Sequence, residues 1–304
     1  MKNKTFILIT AVIIFSIAQS SCSTLMQVAD VGAQIAGAAG VIDKNTVSAI
    51  SNSSKAIGSA AEEITPQQEY FIGRAVAGNI LTTYKLYNDN PTLTAYLNNI
   101  CATIVINSPR PDIYNGYHVA ILDSTEINAF ATSGGHILMT RGLINAAASE
   151  DMLAGVIAHE IAHIQLQHSI KAIKSSRITQ ALMVTGTSAA GAATGMNVNQ
   201  LTDVFNESVG EIVQTMVSNG FSQTQEFDAD NKALSLMADA GYNPQGLIEM
   251  LNQLKAVQSK TTGGFNKTHP SPDQRIANVT KSVGKYKVTD NSESRKARFL
   301  AAVK

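Results

Sequence analysis

Cysteine is nearly absent, with Cys22 and Cys101 the only two in 304 residues. That excludes a disulfide framework and a thiolate zinc site, both of which need more sulfurs in register. Excess charge of either sign is missing too: 23 acidic residues balance 23 basic ones. No field draws nucleic acid or an anionic membrane surface, so nucleic acid is not an expected partner. Proline is scarce at seven residues and no long charge run occurs, which argues that the bulk of the chain is ordered. What is present is 44% apolar residues, enough at this length for a full core, with one domain plus extensions as the expected organisation.

The first stretch, "MKNKTFILITAVIIFSIAQSSC", reads as an export signal over residues 1–21. Lys2 and Lys4 give a basic start, and Phe6 to Ala18 form an apolar run too short to span a bilayer comfortably. Cys22 after "QSS" resembles a bacterial lipoprotein signal, in which Cys22 becomes the lipidated first residue; Gln19 stands where that motif usually has an aliphatic residue. The alternative is ordinary cleavage after Ser20, giving a soluble periplasmic or secreted protein. Either route takes the chain out of the cytoplasm, and acylation would attach it to a membrane without a spanning helix.

Residues 22–61 are small and weakly polar and read as a tether. The main domain is expected over 62–285, with an Ala/Gly-rich insertion at about 179–205 and a charged, peripheral tail at 286–304. In the domain, Thr65, Pro66 and Gln68 suit a capped helix start, and "NDNP" separates a second helix. "YHVAILDS" is strand-like, and "NAFATSGGHILMTRG" reads as two strands joined by "SGG". Cys101 is expected as a small buried helix residue, and His118 and His136 as ordinary strand residues.

The chemistry concentrates in "VIAHEIAHIQ", residues 156–165. Ser149 can cap this helix, and Glu150 and Asp151 suit its positive N-terminal end. At about 100° per residue His159 and His163 share one face, one turn apart, so both imidazoles can reach one ion. Glu160 projects beside them, placed to touch a metal-bound water. Leu153, Val156, Ile157, Ile161 and Ile164 can bury the rest. Core histidines satisfied by hydrogen bonds are the bland alternative.

Two histidines do not hold a catalytic zinc, so a third ligand is required. A continuation with Gly and then His at three-residue steps is excluded, because those positions are Leu166 and Ser169. His168, five residues after His163, turns away from the metal face and reads as a surface residue. In "FSQTQEFDADNKALSLM", Glu226 and Asp230 lie one turn apart, so one face can offer a carboxylate to the metal and another to a ligand imidazole. Read alone, the segment is equally a solvated acidic helix start.

"HEIAH", "EFDAD" and "THPSPDQRI", with "NAFA" upstream, together resemble the zinc endopeptidase family that includes the CAAX prenyl protease and the HtpX heat-shock protease. The likeness covers about residues 62–283 and is closest to the soluble bacterial branch, often periplasmic or attached to the outer membrane. It implies an α+β, zincin-like (gluzincin-type) domain, mostly helical, with a small sheet beside the zinc helix. It further implies one Zn2+ held by His159, His163 and Glu226, with Glu160 as catalytic base and Asp230 behind a ligand imidazole. His269 and Arg275 would lie beside the zinc, either stabilising an oxyanion or, for His269, filling the open zinc position. Ser271, Pro272 and Gln274 suit a capping box ahead of that helix.

The expected activity is zinc-dependent endopeptidase action on unfolded or misassembled cell-envelope proteins, a zinc-bound water being activated by Glu160. The strand at His136 to Thr140, or the "NAFA" strand before it, can offer an edge for substrate, with Asn128 and Ala129 lining it. The alternative from another class is a non-catalytic or latent chaperone for outer-membrane proteins using the same cleft. A hydrolase of non-peptide bonds fits the site but not the substrate edge.

Overall fold

The structure is a computed structural model that describes residues 64–172, 198–258, 269–287 and 292–303. The export signal, the tether and most of the expected insertion lie outside the described residues. Thr65–Ile173 and Glu207–Lys304 form one compact unit.

Helix α1, Pro66–Thr83, begins with a complete capping box: Gln68 N–H donates to Thr65 Oγ1 and Thr65 N–H donates to Gln68 Oε1. Asn90 accepts from Leu93 N–H and Pro91 takes the first position of α2, Pro91–Ile106. This satisfies end groups that the helix itself cannot pair. Strands β1 (His118–Leu122), β2 (Ala129–Thr132) and β3 (His136–Thr140) follow. The sheet order is β1-β3-β2, with β1 parallel and β2 antiparallel to β3. The strand at His136–Thr140 is therefore central and cannot accept an added strand, because both of its edges are paired. The outer strands are β1 and β2, and the four residues of β2, the other strand expected to offer an edge, are all buried. Gly134 and Gly135 make the β2–β3 turn at φ 76° and 95°, and a Cβ on Gly134 would stand 2.3 Å from Tyr70 Cα. Glycine is required there for both conformation and space.

After the short helix α3 (Arg141–Ala146), Ser149 caps α4, Glu150–Gln165. Every residue from Met152 to Ile164 is buried. Such a helix belongs in the centre of a core, and α2, the sheet, α7 (Gln223–Asp239) and α8 (Gln245–Gln258) all pack on it. Each fully buried Leu or Ile there contributes about 1.5–3 kcal/mol, so the helix carrying the two histidines is held rigidly. Beyond it lie a short helix α5 (His168–Ala172) and α6 (Val198–Gln214), which runs into a π-helical turn at Thr215–Asn219.

Two expectations are corrected by the C-terminal helices. Helix α9, Pro272–Val283, has Pro272 at its first position, but Ser271 makes no side-chain cap. The Gln274 and Arg275 N–H groups donate to the Ser271 carbonyl instead, at 3.1 and 3.4 Å. The tail is not peripheral: α10, Ser292–Val303, buries Phe299 in the core. Arg295 and Arg298 pair with Asp151 and Glu150 at the start of α4. The result is a mostly helical α+β domain with one small sheet. None of the described helices is long and apolar enough to cross a membrane.

Candidate metal centre

Three elements converge on one buried point. His159 and His163 come from the middle of α4, Glu226 from the first turn of α7, and His269 from the turn ahead of α9. One donor atom from each of the four lies within 4.8 Å of the others. The two Nε2 atoms are 3.0 Å apart, and each is 3.5 Å from a Glu226 carboxylate oxygen. A tetrahedral ion with ligand distances near 2.0–2.1 Å separates its donors by roughly 3.3 Å. Two imidazoles and a carboxylate at this spacing fit zinc.

The surroundings fix the rings. His159 Nδ1 is 3.0 Å from Asp230 Oδ1. Arg275 grips the same carboxylate, Nη2 to Oδ1 at 2.6 Å and Nε to Oδ2 at 2.9 Å, and its Nη2 lies 3.1 Å from His159 Nδ1. His269 Nδ1 lies 2.8 Å from both Glu226 oxygens. Glu160 is buried, and among the described residues its Oε1 has no hydrogen-bond partner.

Charge follows these contacts. Burial pushes the Glu160 carboxyl above its usual range, and the nearby His159, His269 and Arg275 side chains oppose this without prevailing. Burial also acts to raise Glu226, but His269 and the hydrogen bonds from His159 and His269 outweigh it and hold the carboxyl well below its usual value. Asp230 is lowered in the same way, with Arg275 and His159 overcoming burial. Burial and Arg275 act to lower His159, yet hydrogen bonds to Asp230 and Glu226 prevail and raise it to about 9. Burial, then the neighbouring His159, keeps His163 well below its ordinary value.

His159, Glu160, His163, Glu226, Asp230, His269 and Arg275 are thus gathered into one cluster. Cys22 lies outside the described residues. His168 corrects the surface reading: it is buried, and its Nδ1 is 2.9 Å from His163 Nδ1. The cause is a break at Gln167, φ 56°, which turns the chain back where a continuous helix would carry it off. Phe221 carries no local signal in the sequence, yet its ring stacks on His163 at 4.5 Å and 23°. It follows Gly220, φ 72°, at the end of the π-helical turn, a feature frequent at functional sites. His118 and His136 are register partners on adjacent strands.

A buried His-Glu-x-x-His helix with a glutamate and an aspartate from a second helix defines a metallopeptidase-type centre. The Peptidase family M48 profile matches residues 91–283, and the chain belongs to that family. Similar proteins include the beta-barrel assembly-enhancing protease of Escherichia coli (strain K12), 26% identical over 223 residues, covering 73% of this chain and 45% of that one. The metalloprotease LoiP of the same organism is 28% identical over 154 residues, covering 51% and 58%. The mitochondrial metalloendopeptidase OMA1 of Schizosaccharomyces pombe is 28% identical over 192 residues, covering 62% and 52%. The chain spans about half the length of the curated relatives it matches.

Proposed function

We propose that the protein is a zinc-dependent endopeptidase of the bacterial cell envelope that hydrolyses peptide bonds in unfolded or misassembled envelope proteins. The observation that carries this reading is the buried Oε1 of Glu160, without a hydrogen-bond partner among the described residues, beside the His159, His163 and Glu226 donor set. His159, His163 and Glu226 would hold one zinc ion per chain, which when bound makes water more acidic and polarises a carbonyl. Glu160 takes the proton from the attacking water and returns it to the leaving amine. Its raised affinity for a proton, caused by burial, suits that task. Asp230 holds the His159 ring, and Arg275 holds Asp230. Arg275 is read as acting on this pair rather than on an oxyanion, since two of its nitrogens are committed to Asp230.

His269 is read as a displaceable occupant of the site. Catalytic zinc sites keep an open position and closed four-donor sites do not, and His269 brings the cluster to four. In this reading the enzyme is latent until substrate moves His269 aside. The envelope location is supported by the lipoprotein-like start of the sequence, with Cys22 as acylation site and the outer membrane as the anchoring surface, and by the names of the bacterial relatives.

The test is digestion, by the zinc-loaded full chain, of one outer-membrane β-barrel protein offered folded and denatured, with His269→Ala alongside. Cleavage of the denatured form alone, faster with His269→Ala, is the expected result. Equal cleavage of both forms would contradict the substrate class. A slower His269→Ala enzyme would contradict latency.

A further inference from the structure

We propose that His168 is a positioning residue that fixes the tautomer and orientation of His163. The inference rests on the reading of His163 as a zinc ligand and adds a residue that the spacing of the motif hides. The two Nδ1 atoms face each other at 2.9 Å, with ring centroids 4.9 Å apart and planes at 75°. Two neutral rings in contact through nitrogen need one proton between them. If His163 carries it, Nδ1–H donates to His168 and the lone pair of His163 Nε2 points at the shared donor point. If His168 carries it, His163 is protonated at Nε2 and that nitrogen cannot bind a metal. The 3.0 Å approach of His163 Nε2 to His159 Nε2 fits the first arrangement.

The surroundings are built to keep His168 in place. Gln167 sits at φ 56° without being glycine, a left-handed conformation that residues with a Cβ adopt reluctantly and that needs support. Its side-chain amide donates to Glu69 Oε1. Glu69 is itself buried on α1 and bound by Arg110 Nη2 at 2.8 Å. On the other side Phe221 stacks on His163 and lies 5.9 Å from the His168 ring. A chain of contacts therefore runs from Glu69 through the Gln167 turn to His168 and His163. It is the counterpart of the Asp230 contact to His159, with a neutral imidazole in place of a carboxylate. Partners of this kind orient metal-binding imidazoles, and their loss typically costs 10–100-fold in metal affinity.

The experiment measures zinc affinity by competition with a chromophoric chelator, and the cobalt(II) absorption spectrum, for the full chain as wild type, His168→Phe and His168→Asn. His168→Phe keeps a ring but no acceptor, and should bind zinc 10–100-fold more weakly with an altered cobalt spectrum. His168→Asn places an oxygen near the position of Nδ1, and should recover most of the loss. Nitrogen-15 NMR of zinc-loaded wild type gives a reading that no variant can obscure: a protonated Nδ1 on His163 and a bare Nδ1 on His168. Zinc binding by His168→Phe within twofold of wild type with an unchanged cobalt spectrum would overturn the proposal, as would a protonated Nδ1 on His168. Wild type that binds no zinc would instead overturn the ligand reading, and this inference with it.

Discussion

Arg275 grips Asp230 through two hydrogen bonds of 2.6 and 2.9 Å, with both side chains almost wholly buried. Removing one partner strands the other charge in the core, which typically costs 3–5 kcal/mol. Arg275→Met should therefore lower unfolding stability by about 3–5 kcal/mol, measured by urea denaturation of the metal-free full chain. It should also weaken zinc binding, because Asp230 would no longer be held against His159. Wild-type stability in the variant would show that the pair is not buried as described.

Zinc uptake should release protons. His159 faces Asp230, Glu226, Glu160 and Arg275, with His163 and His269 alongside; hydrogen bonds to Asp230 and Glu226 raise it to about 9 against burial and Arg275. Since this folded value lies above the ordinary one near 6.5, the charged ring stabilises the metal-free fold fully below that ordinary value, and the contribution fades as pH rises through about 9. A ligand nitrogen must be bare, so binding at pH 7 should expel about one proton per zinc. Calorimetry in buffers of different ionisation enthalpy measures this number; zero protons would mean that His159 is already neutral.

Helix α10 holds the start of α4. Phe299 is 2% exposed and Glu150 1%, with Tyr96 and Arg298 on the Glu150 carboxylate. Phe299→Ala should cost about 3–5 kcal/mol. Arg298→Ala should cost less, about 1–3 kcal/mol, because it leaves the buried Glu150 carboxylate with Tyr96 alone but lets water in where the half-exposed arginine stood. Thermal melting of the two variants checks the order, and the reverse order would contradict the packing.

Much of this arrangement is legible in the sequence. The capped starts at Thr65 and Ser149, the "SGG" turn and the one-turn spacing of His159 and His163 follow from local rules that the fold does not override. Spacing also pairs Glu226 with Asp230, because one helical turn fixes their geometry whatever packs around them. The rest depends on contacts between distant segments. The central place of β3 is set by its parallel pairing with β1, which no local pattern encodes. Gln167 is an ordinary residue in its composition, and only the Glu69 contact makes its left-handed backbone visible, so His168 reads as a surface residue until the chain is folded. The tail shows charges in sequence, yet those charges are the partners of Glu150 and Asp151 at the other end of the core.

Cys101 should be inert while the protein is folded. Burial alone pushes its thiol up to about 12, and it is 1% exposed on α2. In a full chain carrying Cys22→Ser, a maleimide at pH 8 should label Cys101 only after denaturant is added. Rapid labelling without denaturant would mean that α2 opens locally from the core.

The central claim is that Glu160 acts as proton carrier beside a zinc ion held by His159, His163 and Glu226. The most direct measurement is cleavage of unfolded casein by the full chain, wild type against Glu160→Gln, with zinc content determined on the same samples. Both proteins should hold one zinc per chain, and the variant should be at least 100-fold less active, in line with what a positioned acid–base group typically contributes. Equal cleavage by both proteins at equal zinc would contradict the claim.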